Sequence, residues 1–544
     1  MSGRYVIALD QGTTSSRSVL IDHDGRLVDS VQRKFPQIYP QPGWVEQNPQ
    51  EIIFSQLGSL TDLLTSHALT ARDIDSIGIT NQRETTMLWD RETGRPIANA
   101  IVWQCRRTAP IIEELCSSPE VIEKIIRTTG LRPDAYFSAS KIKWLLDNTE
   151  DARALADEGR LLFGTVDSWL IWNLTGRKVH ATDVTNASRT MLFDIHELRW
   201  DQELLDLFDI PAQIMPEVRP SASSFGVTDY PNIPAGIPIC GAAGDQQSAL
   251  FGQCCFEAGQ AKNTYGTGGF MLLHTGNTPV TSKNGLVTTI AASAPGTEHA
   301  EYALEGSVFM AGALVQWLVD ELGILQVPAE SQQLAESVPD TGGVYIVPAF
   351  TGLGAPYWKP EARGAIYGLT RGTNRTHIVR AALEAIAYQI HDLAGAMQAD
   401  AGLKIRQLNV DGGASENDFL MQFQSDILQT QIQRPVNIES TALGAAYLAG
   451  LTSGFWNGVD ELRALRATDS VFAPANEAGI RRGAARGLAR GHRKDVLGTK
   501  RRPMAARHRP RHRPARATRS SNPHPVPRRR RAKTSCPSPH HANA

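Results

Sequence analysis

Cysteine is scarce in this chain, with six among 544 residues, at positions 105, 116, 240, 254, 255 and 536. None forms a CxxC pair and no histidine cluster accompanies them at metal-ligand spacing. This argues against a disulfide framework or a structural zinc site and for reduced thiols. Long apolar runs are missing too. The N-terminus enters Tyr5-Val6-Ile7-Ala8-Leu9 after a lone Arg4 and stops at Asp10, too short for a secretory signal. Nothing approaches the roughly 20 apolar residues of a membrane span. These absences predict a cytoplasmic location without a membrane span. Two nucleotide-binding patterns are absent as well. No GxxxxGK[ST] occurs and no Gly-rich turn completes GxGxxG, so P-loop and Rossmann readings fail.

Acidic residues nearly vanish from the C-terminal end. Of 55 Lys+Arg and 56 Asp+Glu, 20 bases and a single acid, Asp495, lie in 481–544, so that segment carries +19 and the first 480 residues −20. Arg, Pro, His and Ala dominate from 476 onward, apolar periodicity stops, and no aromatic follows Phe472. Such a tail cannot bury a core and is expected to be disordered. Without stacking aromatics it offers nucleic acid only nonspecific charge attraction, so no specific nucleic-acid partner is expected. The abrupt change near Asn476–Arg482 reads as the product of a shifted reading frame, the alternative being a tether for polyanions.

The remaining length is too great for one core, and 41% apolar with 20% charged residues suits a globular protein, so two large domains are expected. Tyr5–Leu9, a turn at Asp10-Gln11-Gly12-Thr13-Thr14 and a second apolar run at Ser18–Ile21 read as strand, turn, strand. The pattern recurs about 250 residues later in Ala261–Tyr265, Gly266-Thr267-Gly268-Gly269 and Phe270–Leu273. Two such hairpins predict two related halves, 1–252 and 253–475. Helical patterns at Ser140–Leu146, Ile378–Met397 and Phe419–Leu428 alternate with short apolar runs, which makes both halves α/β.

Four segments carry polar chemistry. In Asp10-Gln11-Gly12-Thr13-Thr14-Ser15-Ser16-Arg17 a tight turn can aim backbone N–H groups and hydroxyls at an anion, Arg17 adds charge, and Asp10 can hold Mg²⁺. Gly241-Ala242-Ala243-Gly244-Asp245-Gln246-Gln247 ends a strand on one carboxylate, able to accept a hydroxyl proton or to cap the next helix. Leu408-Asn409-Val410-Asp411-Gly412-Gly413-Ala414-Ser415-Glu416-Asn417 is strand, glycine turn and helix start, open enough to admit a base and ribose. In Asn81-Gln82-Arg83-Glu84-Thr85-Thr86, Arg83 donates and Glu84 accepts hydrogen bonds; the pair suits a polyol or, more plainly, a salt bridge.

Taken in this order, the motifs resemble the FGGY carbohydrate kinases over about residues 5–472. Two signature segments carry the likeness. One is Tyr136-Phe137-Ser138-Ala139-Ser140-Lys141-Ile142-Lys143-Trp144; the other runs from Gly352-Leu353-Gly354-Ala355-Pro356-Tyr357-Trp358 to Gly368-Leu369-Thr370-Arg371-Gly372. Residues 78–86 and 186–191 add to it. The resemblance implies two actin-like (ribonuclease H-like) ATPase domains with an active-site cleft between them. It implies transfer of the γ-phosphoryl group of ATP to glycerol, giving sn-glycerol 3-phosphate and ADP, by a homo-oligomer (dimer or tetramer). By matching motif, Thr13, Thr14, Ser15, Arg17, Thr267, Gly312, Gln316, Gly413 and Asn417 would hold ATP, with Asp10 at Mg²⁺. Arg83, Glu84, Tyr136, Asp245 and Gln246 would bind the glycerol hydroxyls, Trp103 and Phe270 its carbons, and Asp245 would be the general base. The rival readings are a kinase of another polyol or a pentulose, a nucleic-acid binder acting through the tail, and a non-catalytic actin-like scaffold.

Overall fold

The computed structural model describes residues 4–359 and 361–475; the basic tail and Cys536 lie outside the described residues. In each half of the chain most of the long strands gather into one mixed sheet, with short two-stranded sheets beside it. The first sheet holds β1 (Tyr5–Gln11), β2 (Ser15–Ile21), β3 (Leu27–Lys34), β4 (Ile74–Asn81) and β5 (Ile239–Gly244), ordered β5-β4-β1-β2-β3. β2 is antiparallel to β1 and β3, whereas β4 and β5 run parallel to β1.

The second sheet holds β6 (Ala261–Tyr265), β7 (Gly269–Gly276), β8 (Val287–Ile290), β9 (Tyr302–Val308), β10 (Gln407–Asp411), β11 (Gln431–Pro435) and β12 (Thr468–Phe472). Its order is β8-β9-β7-β6-β10-β11-β12. Set aside the outermost β8 and β12, and the order and sense of the first sheet repeat: an antiparallel hairpin β6–β7, antiparallel β9 beyond it, parallel β10 and β11 on the other side. The two hairpins seen in the sequence therefore occupy equivalent places, and the fold is the expected pair of α/β halves.

The helices that position the site are α1 (Pro49–Ser66), α2 (Ser138–Asn148), α3 (Val166–Leu174), α4 (Asp245–Gly252), α5 (Gly312–Asp320), α6 (Arg375–Ala401), α7 (Asp418–Leu428) and α8 (Ser440–Ser453). In the first sheet successive side chains alternate between two cores. Ile7, Leu9, Ile77 and Ile79 face α1 and α3, while Val6, Ala8, Val19 and Ile21 face α8. Covering both faces explains why β1 reads as a nearly unbroken apolar run. No helix among the described residues is long and apolar enough to cross a membrane, and the five described cysteines are buried and unpaired.

Although late in sequence, α8 packs on β1, β4, β5 and α4 of the first half. Its sequence Ser-Thr-Ala-Leu-Gly-Ala-Ala allows backbone-to-backbone approach. A Cβ at Gly78 would lie 2.0 Å from the Ala445 carbonyl oxygen, and one at Gly444 would lie 1.8 Å from that of Ser248. Backbone atoms cannot yield as a side-chain end does. Gly78→Ala should therefore destabilise the chain by about 1–3 kcal/mol or more through overpacking. Gly395→Ala, on α6 where the added Cβ meets nothing within 4 Å, should be neutral or stabilise by about 0.5–1 kcal/mol. Urea unfolding of both variants checks the contrast.

Candidate active site

Parallel strands bring the first cluster of polar residues to one edge. Asp10 and Gln11 on β1 stand level with Thr80 and Asn81 on β4, and Ala243 and Gly244 on β5 align with the same pair. Asp10, Arg83 and Asp245 thus leave the sheet together at the carboxyl ends of its parallel strands, where ligands of open α/β sheets bind. Gly244 takes the N-cap place of α4 and Asp245 is its first residue, so Asp245 is not the cap. Instead its Oδ1 accepts from the Gln246 N–H at 2.7 Å and is ion-paired to Arg83 Nε at 3.1 Å, with about a third of the side chain still exposed.

Arg83 is buried and fully committed. Its Nη1 and Nη2 fork onto the Glu305 carboxylate at 2.5 and 2.9 Å, and Nη1 also reaches Gln247 Oε1 at 3.2 Å. Glu84 adopts a left-handed φ of 60°, a conformation that costs a non-glycine residue and clusters at functional sites. Its Oε1 accepts from Arg189 Nε at 2.7 Å, and Arg189 Nη2 reaches Glu305 at 3.2 Å. Two arginines and two glutamates, each at most 4% exposed, form one neutral network. Within it burial raises the Glu84 carboxyl above its usual range despite Arg189 and Arg83. For Glu305 burial acts the same way, but Arg189 and Arg83 outweigh it and hold the group at about 2.

An aromatic wall stands beside this network. Trp103 and Tyr136 meet edge to face with centroids 5.6 Å apart, and Trp103 Nε1 donates to Thr13 Oγ1 at 3.1 Å. Burial, with Glu84 adding, pushes the Tyr136 phenol up, so it remains a neutral O–H. From the second sheet, Lys262 Nζ donates to Gln246 Oε1 at 2.5 Å and to Thr264 Oγ1 at 2.8 Å, and burial lowers its pKa. Cross-strand partners share a face. Thr264 pairs with Phe270, Phe270 with Ser307, Lys262 with Leu272 and Leu272 with Glu305, so Phe270 lies on the face that carries Lys262 and Glu305. Arg83, Glu84, Trp103, Tyr136, Asp245, Gln246 and Phe270 are thereby gathered at one place.

The residues assigned to nucleotide fall in two groups. In the first, the Gly12 N–H donates to the Ser15 carbonyl at 2.9 Å and closes the turn of the β1–β2 hairpin. Gln82 and Gln47 buttress that turn, leaving Thr14 exposed at its tip. In the second, the N–H groups of Gly312 and Ala311 donate to the carbonyls of Gly266 and Thr267, each at 2.9 Å. A Cβ at Gly312 would stand 2.7 Å from the Gly266 oxygen, and one at Gly412 the same distance from that of Tyr265. The β6–β7 turn, the start of α5 and the Gly412-Gly413 turn therefore meet, with open space above Gly413.

Three assigned side chains already have partners. Arg17 is ion-paired to Glu439. Gln316 bonds Asp320 at 2.8 Å. Asn417 caps α7 through Leu420 N–H and donates to Ser331.

Asp10 suits a hard cation. Burial at the end of β1 drives its carboxyl to about 6, against the pull of Arg17, so the ionised form lacks compensation that a divalent ion supplies. One carboxylate plus phosphate oxygens is the usual Mg²⁺ donor set.

Residues 5–252 match the N-terminal domain, and residues 261–453 the C-terminal domain, of the FGGY family of carbohydrate kinases. The chain belongs to this family. It is 58% identical over 478 residues to a glycerol kinase of Symbiobacterium thermophilum, covering 87% of this chain and 95% of the relative. A glycerol kinase of Haemophilus influenzae is 58% identical over 475 residues, covering 87% and 94%. The crystal structure of Plasmodium falciparum glycerol kinase with ADP superposes with a TM-score of 0.86 at 37% identity, over 92% of this chain and 99% of that one.

Sequence reasoning passed over three members of this kinase's buried network. Glu305 is the sole acid in the apolar strand Tyr302–Val308, and Lys262 the sole base in Ala261–Tyr265. Arg189 sits inside the 186–191 stretch that carries the family likeness. A lone charge within a strand predicted to be buried is the signal that would have found the first two.

Two outcomes follow for this kinase. Glu305→Gln leaves two buried guanidinium groups under-neutralised and should cost about 3–5 kcal/mol in chemical unfolding. A loss below about 1 kcal/mol would mean the fork is solvated. Asp10 has a folded pKa, about 6, above the ordinary 3.8. It therefore costs nothing below pH 4 and its full penalty appears above pH 6. Asp10→Asn should match the parent near pH 4 and be more stable by roughly 1–2 kcal/mol at pH 8 without divalent ions. Thermal melts at the two pH values decide this.

Proposed function

We propose that this chain is an ATP-dependent glycerol kinase producing sn-glycerol 3-phosphate and ADP. One observation carries the reading: Arg83, Glu84 and Asp245 converge beside the Trp103–Tyr136 wall, in a chain 58% identical to glycerol kinases along nearly their whole length. Charged groups already locked by their neighbours present fixed hydrogen-bonding edges to hydroxyls, while aromatic faces cover the carbons. Phosphoryl transfer asks for positioning and charge neutralisation rather than a covalent intermediate.

On this reading Asp245, ion-paired to Arg83, accepts the proton of the attacking hydroxyl. Arg83, Glu84, Tyr136 and Gln246 hold the polyol; the Gln246 carbonyl is taken up by Lys262, which leaves its N–H donors for the ligand. Trp103 and Phe270 lie against the carbons. The Thr13-Thr14-Ser15 turn and the Thr267, Gly312 and Gly413 cluster receive ATP from opposite halves, divided as 1–252 and 253–475, and their approach excludes water. Asp10 would hold Mg²⁺, which when bound offsets charge on the ATP phosphates. A cytoplasmic homo-oligomer, dimer or tetramer, belongs to the same reading.

Asp245→Asn tests it. The amide keeps the shape but cannot take a proton, so kcat should fall by about 10²–10⁴ while ATP binding stays within twofold. Retention of half the parent turnover in a coupled ADP-release assay would remove Asp245 from the role, and no glycerol-dependent ADP release by the parent would remove the function.

A further inference from the structure

Outside the residues assigned to substrate lies a buried cation with no acidic partner in hydrogen-bond reach. Lys141, on the first turns of α2, is fully buried. Its Nζ donates to the carbonyls of three consecutive residues, Ala135 at 2.6 Å, Tyr136 at 2.6 Å and Phe137 at 3.0 Å. An ammonium has three N–H donors and here meets three acceptors, so every donor is used. The segment it gathers is the one that carries the aromatic wall. The Tyr136 N–H donates to Asp134 Oδ1 at 2.8 Å, and Ser138 Oγ, one residue past Phe137, donates to the Glu84 carbonyl at 3.2 Å. The Ala139 N–H reaches the Thr190 carbonyl at 2.9 Å, next to Arg189. Residues 134–139 thus support both Tyr136 and the strained turn at Glu84.

We propose that the Lys141 ammonium is a positioning residue that fixes the Tyr136 wall and the Glu84 turn, and so sets affinity for the polyol but not for the nucleotide. It acts through the backbone of 135–137 and touches no reacting atom. The inference rests on the glycerol-kinase reading of the site.

The arrangement makes that affinity depend on pH. Burial pulls the Lys141 amine down to about 7. The titratable and charged groups that face it are Glu84 from the turn after β4, the Cys105 thiol and Arg106 from the segment after Trp103, and Asp134 from its own loop; Glu84 is the strongest support for the charged form and Arg106 opposes it. As pH rises through this range the amine keeps two N–H donors for three carbonyls and turns its lone pair toward one of them. That leaves a buried acceptor unmet and frees the segment to shift.

The experiment measures glycerol and ATP binding separately, by calorimetry on the full chain at pH 6 and pH 9, for the parent and for Lys141→Met, a side chain of similar length without charge. For the parent, the glycerol Kd should rise about tenfold between the two pH values with the ATP Kd within twofold, the size of one lost buried hydrogen bond. Lys141→Met should bind glycerol as weakly at pH 6 as the parent does at pH 9, with no pH trend. If Lys141→Met binds glycerol within twofold of the parent at pH 6, or loses ATP binding to the same extent, the proposal falls. Should that variant fail to fold, the parent decides alone: a flat glycerol Kd overturns the proposal and a tenfold rise upholds it. A parent that binds no glycerol at any pH overturns the functional reading and this inference together, whereas a flat profile overturns this inference only.

Discussion

The guanidinium of Arg83 forked onto Glu305 is the contact on which the rest of the site depends. Arg83 follows β4 of the first sheet and Glu305 stands in β9 of the second, so one bidentate pair joins the two halves at the chemistry itself. A buried ion pair is a poor source of net stability, because desolvating both charges consumes most of what their attraction returns. Its value is geometric. With both Nη atoms held by Glu305, the guanidinium is fixed in place, and its Nε side lies 3.1 Å from the Asp245 carboxylate as an ion pair. Arg189 repeats the device on Glu84. Four charges that neutralise each other leave a site whose donors and acceptors are already aimed before a substrate arrives.

Such precision needs a frame that does not give, and the backbone contacts of α8 supply it. With Gly78 under Ala445 and Gly444 against Ser248, the helix sits on the strands that end in Gln11, Asn81 and Gly244 at a distance no side chain could set. The chain then returns to the second sheet as β12, having also placed Glu439 against Arg17. One late segment therefore braces the first sheet, joins the halves and occupies the hairpin arginine. Because α8 belongs to the second half by sequence and to the first by packing, displacing it would disturb the first sheet and the Glu439–Arg17 pair at once.

How much of this was legible beforehand follows from the range of the interactions. Both Gly/Thr hairpins, the strand–turn–helix at Asp245 and the helices at 138–148, 375–401 and 418–428 are local, written in apolar periodicity and turn chemistry, and the sequence reading found them. The polyol residues came from family likeness, since Arg83 and Glu84 as neighbours predict only a salt bridge. They do not pair closely: Arg83 Nε is 4.0 Å from Glu84 Oε1, and each takes a partner more than a hundred residues away. Glu305, Arg189 and Lys262 escaped notice because their importance lies in what they meet across the fold. A lone charge in a buried strand flags such a residue, but pattern reading cannot see the opposite charge arriving from the other half. The motifs that point to Arg17, Gln316 and Asn417 likewise say nothing of the partners these side chains meet in the fold, Glu439, Asp320 and the start of α7.

The division of charge across the site fits the two substrates of the proposed reaction. Where the polyol would lie, full charges are present but paired, and their net is zero. A neutral ligand gains nothing from an unbalanced field, but it gains from fixed acceptors and donors that match its hydroxyls and would be left unmet by a hydrocarbon of the same shape. Where the triphosphate would lie, the two hairpin turns offer backbone N–H groups and hydroxyls, and the one nearby arginine is held by Glu439. On the proposed reading, recognition there would rest on the oriented dipoles of Gly- and Thr-rich turns and on a cation at Asp10. On that reading a phosphate held by dipoles and a bound cation would be held less firmly than one clamped by arginines. That suits a group that must leave ATP within each turnover, and it confines the rigid charges to the acceptor, whose oxygen has to be aimed.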